Sequence, residues 1–226
     1  KFWVPLFLFS ICMGFMVNFF MNLSLKESEI VSPIIIGSQL AIPFAILLSS
    51  FFLKEKVNYK KWILIFSSFF GVILLSFDPL IKHEILSLFL ISCMAFFYAS
   101  AQVFSRYLKE LNVTLTNSLM GLCGFLCLIT TSYIFEGNTF ENIININIKS
   151  WLLIFHSAIF VSIGAHMSMF YLYKIYPVNK VFPFYALFPI FGILQTMIIF
   201  NEIPTLIIIV GGLIVITSIY LLNRLD

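Results

Sequence analysis

FPFYALFPIFGILQTMIIFNE, residues 182–202, is an apolar run interrupted by Pro183, Pro189 and Gly192; it carries one amide, Gln195, and closes on Glu202. QLAIPFAILLSSFFLKE, residues 39–55, has the same plan: amide, proline, apolar run, terminal Glu. Pro43 stands 12 residues before Glu55, and Pro189 stands 13 before Glu202. A short linker and a further glycine-containing apolar run follow each Glu. The two carboxylates are 147 residues apart.

The setting of this doubled pattern is a membrane. The chain is 61% hydrophobic and 10% charged, with a mean hydropathy of +1.06 and 28 phenylalanines. A soluble domain carries about 25% charged residues, so these charges could not cover a water-exposed globule of 226 residues. A hydrocarbon core of about 30 Å needs roughly 20 apolar residues in a helix. Eight runs qualify: 2–23, 31–53, 61–78, 84–108, 113–135, 150–173, 178–200 and 204–222. Alternating strands of the outer-membrane barrel type are absent, and the longest connection, the polar Glu136–Lys149 stretch, leaves no room for a soluble domain. No basic stripe points to nucleic acid. Cys12, Cys93, Cys123 and Cys127 all sit inside apolar runs and read as small packing residues.

Loop charges set the orientation. Lys1, Lys54, Lys56, Lys60, Lys61, Arg106, Lys109, Lys174, Lys180 and Arg224 fall on one side, ten in all, against Lys26, Lys82 and Lys149 on the other. The richer side is expected in the cytoplasm, C-terminus included. Run 31–53 then descends toward the cytoplasm and run 178–200 rises away from it, so Glu55 and Glu202 mark opposite faces. The step between them is five helices, and an odd-numbered unit repeated in tandem must invert. The expected fold is an all-α integral membrane protein: eight transmembrane helices here, of ten in two inverted five-helix repeats. Residues 1–80 are read as the last three helices of the first repeat, with two more expected before Lys1, and 81–226 as the complete second repeat. Inverted repeats are characteristic of secondary transporters.

Polar groups at membrane depth are costly and should face the protein interior or a water-filled path. Gly14, Asn18 and Asn22 share a face of the first run, and Gln39 and Pro43 a face of the second. Ser92, Ala95, Ala99, Gln102 and Arg106 form a stripe on the fourth, bordered by Tyr98. On the sixth, Ser162, His166 and Tyr173 share one face, and Gly164, Ser168 and Tyr171 its neighbour. On the seventh, Tyr185, Pro189, Gly192 and Thr196 align, with Gln195 adjacent. The small residues among these also serve as helix-packing residues, and the amides serve equally as cavity lining or as interhelical hydrogen bonds. Runs 61–78 and 204–222 are nearly all apolar and read as outer supports. Pro43 and Pro189 each free a carbonyl one turn earlier and bend their helices, which could offer that carbonyl to a solute. Glu55 and Glu202 are read as structural, in the turn to the next helix. Each sits where its own helix dipole disfavours it, which demands a specific partner that the sequence does not identify. There is no GxSxG, HExxH or glycine-rich phosphate loop, so the chain is not read as an enzyme.

With these motifs in hand, the chain resembles the EamA-like branch of the drug/metabolite transporter superfamily. Each repeat of that family carries a proline, an apolar run, a Glu and two spaced glycines. Pro189, Glu202 and Gly211 match, with Ser218 at the second glycine place. Pro43, Glu55 and Gly71 match, with Leu64 at the first. AFFYA at Ala95–Ala99, ending in Arg106, is similar to the opening helix of the family's second repeat. The resemblance covers essentially the whole chain. It implies ten helices and a central cavity lined by the runs beginning at residues 2, 31, 84, 150 and 178, where the polar stripes lie.

The expected function is therefore a secondary transporter, or permease, moving a small metabolite by alternating access. The resemblance implies a small metabolite such as an amino acid or derivative, and the absence of Lys and Arg deep in any helix favours a neutral or zwitterionic one. Uptake or exchange of a nucleoside-like cofactor, and a non-transporting membrane assembly subunit, are the alternatives. The substrate-cavity candidates are Asn18, Gln39, Tyr98, Gln102, His166, Tyr171, Tyr185 and Gln195; Pro43 and Pro189 are the helix bends; Glu55, Glu202, Gly71 and Gly211 are repeat-motif structural residues. No metal and no cofactor are expected. The expected partners are a small-molecule solute and the lipid bilayer, with protons or an exchanged solute as coupling candidates and a homodimer as candidate assembly. The phenylalanine-, isoleucine-, asparagine- and lysine-rich composition points to a bacterial inner membrane.

Overall fold

The structure, a computed structural model, describes residues 2–52, 54, 57–75, 77–78, 85–137, 143–175 and 188–225, with the backbone alone at 162, 166, 169, 170, 173, 174 and 223. All the regular elements among them are helices. We number them α1 (Trp3–Lys26), α2 (Ser32–Phe52), α3 (Tyr59–Leu75), α4 (Ile85–Leu108), α5 (Val113–Glu136), α6 (148–175), α7 (Phe188–Ile199) and α8 (Leu206–Arg224). Helices α1, α2, α4 and α5, together with Ile148–Ala165 of α6, are long and apolar enough to cross a membrane. Their exposed surfaces carry large apolar side chains such as Phe7, Phe51, Phe89, Phe125 and Phe155, as lipid-facing helices require.

Helix α4 is central. It packs against α1 on one side and α2 on another, and Ile91, Ala95, Ala99 and Ala101 on it are fully buried. Alanines at these places let neighbouring backbones approach, the usual means of holding membrane helices together. Phe20 of α1 stacks on Phe97 at 5.5 Å, and Phe44 of α2 meets Phe96 edge-on at 5.7 Å. Helix α5 meets α1 more closely: Gly14 lies against Met120 and Gly124.

Helices α3 and α8, the runs read as outer supports, are each other's main neighbours. They pack along their length, burying Leu75, Val215 and Ile219 between them. The motif glycines make this possible: a Cβ on Gly211 would stand 2.8 Å from the Gly71 carbonyl oxygen, and one on Gly71 3.0 Å from that of Gly211. Gly71 and Gly211 thus meet each other across the two helices.

Two local features recur along the chain. A π-helical segment opens at Ser10 in α1 (Ser10–Met16) and another at Ser157 in α6 (Ser157–His166), 147 residues later. Lys54 and Asn201, also 147 residues apart, both have positive φ, 55° and 54°. Asn tolerates the left-handed region better than most residues, and here it stops α7. The Glu202 N–H reaches back to the Thr196 carbonyl at 3.4 Å.

Candidate functional site

Pro43 has no N–H for the Gln39 carbonyl, and α2 responds by breaking at Gln39–Leu40. The helix tightens into i+3 bonds there: Gln39 N–H to Ile36 O, Leu40 N–H to Gly37 O and Ile42 N–H to Gln39 O, each 3.1 Å. The Gln39 carbonyl left without the Pro43 N–H is taken by the Ile42 N–H rather than left for a solute. What the break does offer is the Gln39 side chain. It is wholly buried. Its Nε2 reaches Ser38 Oγ at 3.5 Å, and its Oε1 has no hydrogen-bond partner among the described residues.

Gln39 stands one turn after Ile35, the residue that packs on Gly192 of α7. Gly37 packs on Ile91 and Phe44 on Phe96, so Gln39 lies between these two levels. Tyr98, also buried, is two residues beyond Phe96. Gln102 follows one turn later, and its Nε2 is a second buried polar atom without a partner. An orphaned buried polar atom costs about 1–3 kcal/mol, so the open acceptor on α2 and the open donor on α4 are the candidates to meet a polar guest. Ser10 Oγ and Asn117 Oδ1 are likewise buried and unpartnered. They lie on the facing helices α1 and α5, a turn before Gly14 and Met120 respectively. Sequence reading passed over this pair, although an asparagine within an apolar run was the available signal.

The other candidates are dispersed. Asn18 is exposed and turns back on its own helix, its Nδ2 donating to Gly14 O at 2.9 Å and Met13 O at 3.3 Å where the π turn leaves those carbonyls accessible. Tyr171 is exposed and lines a separate cavity of about 750 Å³ between the start of α5 and the end of α6, with Glu110, Asn112, Thr114, Met167 and Ser168. Gln195 is exposed on α7, whereas Pro189 and Thr196 are buried. The Tyr185 and Glu55 assignments, and the carbonyl that Pro189 would free, lie outside the described residues, and the His166 side chain does too.

Glu202 has found its partner. Its Oε1 accepts from the Val31 N–H at 2.8 Å, and its Oε2 from the Ser32 N–H at 3.1 Å and Ser32 Oγ at 2.8 Å. A carboxylate accepts only, so the Ser32 proton goes to Glu202. Thr196 Oγ1 stands 2.9 Å from Ser32 Oγ. The partner is therefore not the turn into α8 but the N-terminus of α2, where unpaired N–H groups and the helix dipole welcome a negative charge. Asp78, fully buried just past α3, plays a similar part for α8. It accepts from the Thr205 hydroxyl, which itself caps α8 by accepting from the Ile208 N–H at 3.2 Å. Thr205→Val is expected to cost about 0.5–2 kcal/mol, the worth of an N-cap, read as a lowered melting temperature in detergent.

Apolar helices with lipid-type surfaces, joined through glycine contacts and holding a few buried amides, define a multi-pass α-helical membrane protein. The profile of the EamA-like transporter family matches residues 85–224, more than half of the chain. The chain belongs to that family of membrane transporters, within the drug/metabolite transporter superfamily. A comparison with curated proteins finds no match. Family membership makes a small-molecule solute and the lipid bilayer its partners, and transport rather than catalysis its class of activity.

Proposed function

We propose that the chain carries a small neutral or zwitterionic metabolite, an amino acid or derivative, across the cytoplasmic membrane by alternating access. Gln39, Tyr98 and Gln102 are its solute-contacting residues. The observation that carries this reading is the unpartnered Oε1 of a wholly buried Gln39 at the break in α2, an acceptor suited to an ammonium or amide N–H. Two inverted repeats underlie the motion, with α1–α3 corresponding to α6–α8. The paired π segments and paired left-handed residues at one common interval support that correspondence. The C-terminus is cytoplasmic by the loop charges.

The test is thermal unfolding of the purified protein against a panel of amino acids, their derivatives and nucleosides. A ligand that binds the native state raises its stability, by about 2.7 kcal/mol at a hundredfold excess over Kd. A shift with an amino compound that disappears in Gln39→Leu is expected; a shift confined to nucleosides would redirect the substrate class.

A further inference from the structure

We propose that Glu202 is a latch that holds the bundle shut at the end carrying Val31, Asp78 and Thr205, and that it lets go when a solute passes there. The inference rests on reading the chain as an alternating-access transporter, and it names the contact that sets which end is open. Glu202 follows α7, whereas Val31 and Ser32 open α2; the contact joins elements 170 residues apart in the chain. It is a triple contact, with two N–H groups and one hydroxyl on one carboxylate, backed by Thr196.

Three features distinguish it from an ordinary helix cap. First, the carboxylate stands just past the C-terminal end of α7, a position its own helix disfavours, and among the described residues it is the N-terminus of α2 that compensates for it. Second, Glu202 is half-buried, so water can replace each of its partners when the helices part. The bond is strong enough to hold and cheap enough to break. Third, the joint beside it is built differently. Asp78 and Thr205 tie α3 to α8 at the same end, but those helices are also locked by the Gly71–Gly211 approach. Beneath Glu202, in contrast, α2 and α7 meet through side chains, Ile35 against Gly192, with no glycine-to-glycine backbone approach among the described residues. One pair of helices is a fixed joint and the other a door. The opposite end carries the cavity of about 750 Å³ between α5 and α6. The loop charges put the latched end outside.

The experiment uses the full chain in right-side-out membrane vesicles. Cys12, Cys93, Cys123 and Cys127 are replaced by alanine and a reporter is introduced as Ile35→Cys, one turn beneath the latch. A membrane-impermeant maleimide is the probe. Glu202→Gln and Ser32→Ala are each expected to raise the labelling rate about tenfold or more, as loss of a charge-assisted hydrogen bond shifts the balance between shut and open. Thr205→Val should leave it within about twofold, because the α3–α8 joint stays packed. Unchanged labelling in both Glu202→Gln and Ser32→Ala, with melting temperatures near that of the parent, overturns the latch. So does a Thr205→Val rate as high as theirs, which would mean general loosening. In a second arm, Val31→Cys with Glu202→Cys is crosslinked by oxidation. Solute flux should stop and return on reduction, and flux that persists through the crosslink overturns the proposal. Labelling needs no solute, so a parent protein that moves nothing would sink the transport reading while the labelling result still decides the latch.

Discussion

Gly14→Leu is expected to leave little or no folded protein in the membrane, and Gly124→Leu to do the same. A Cβ built on Gly14 would lie 2.3 Å from the Met120 carbonyl oxygen and 3.1 Å from the Gly124 amide nitrogen. One built on Gly124 would lie 2.5 Å from the Gly14 carbonyl oxygen. Both obstacles are backbone, so no side-chain rotation relieves them, and the two helices must separate. Overpacking a core costs about 1–3 kcal/mol when side chains can give way; here the whole α1–α5 seam is lost, and with it the close packing that stands in for the hydrophobic effect inside a bilayer. The measurement is the yield of monodisperse protein after detergent extraction. Gly121 supplies the control on the same helix, since a Cβ there meets nothing within 4 Å. Gly121→Ala is expected to extract normally and to melt slightly higher, because Ala is about 1 kcal/mol better than Gly in a helix. Normal extraction of Gly14→Leu would contradict the α1–α5 contact.

Much of this arrangement was legible in the sequence because a bilayer simplifies the code. A helix in lipid must satisfy its own backbone, so run lengths alone located α1, α4 and α5 to within a few residues. The doubled spacing singled out Glu202, and the family resemblance Gly71 and Gly211. The rest was hidden for physical reasons. Spacing shows which residues share a face of one helix but not which helix that face meets, so Glu202 could be judged unfavourably placed without its partner at Val31 and Ser32 being visible. The reclaimed Gln39 carbonyl depends on how the chain tightens ahead of Pro43, a choice between i+3 and i+4 bonds that composition does not dictate. Asn18 looked like lining because its stripe assumed 3.6 residues per turn. The π segment at Ser10–Met16 changes that count and offers Asn18 two carbonyls on its own helix. Tyr171 and Gln195 fell on the expected helices but not beside Gln39, since sharing a stripe does not make helices converge.

Gln39→Leu is expected to cut solute flux at least tenfold while leaving the melting temperature unchanged or raised. The two halves of this outcome come from one fact. If Gln39 were a structural hydrogen-bonding residue, removing its amide would strand a partner and destabilise the fold by about 1–3 kcal/mol. Its Oε1 has no partner to strand, and its Nε2 gives up only a 3.5 Å contact to Ser38, while Ser38 Oγ keeps its own bond to the Ile35 carbonyl at 2.7 Å. Leucine fills nearly the same buried space without a desolvated amide, so stability should hold or improve. Flux should fall because the lost acceptor is the one a solute would use, and a tenfold change needs only about 1.4 kcal/mol of solute-binding or transition energy. Gln102→Leu should behave in the same direction, since its unpartnered atom is the donor Nε2. The pair separates lining from packing: reduced flux with intact stability assigns both amides to the solute, whereas reduced stability with intact specific flux returns them to the helix interface. Asn18→Leu is the internal comparison. Its amide is spent on Gly14 and Met13 of its own helix, so its effect should be on the π turn and on stability, with flux per folded molecule unchanged.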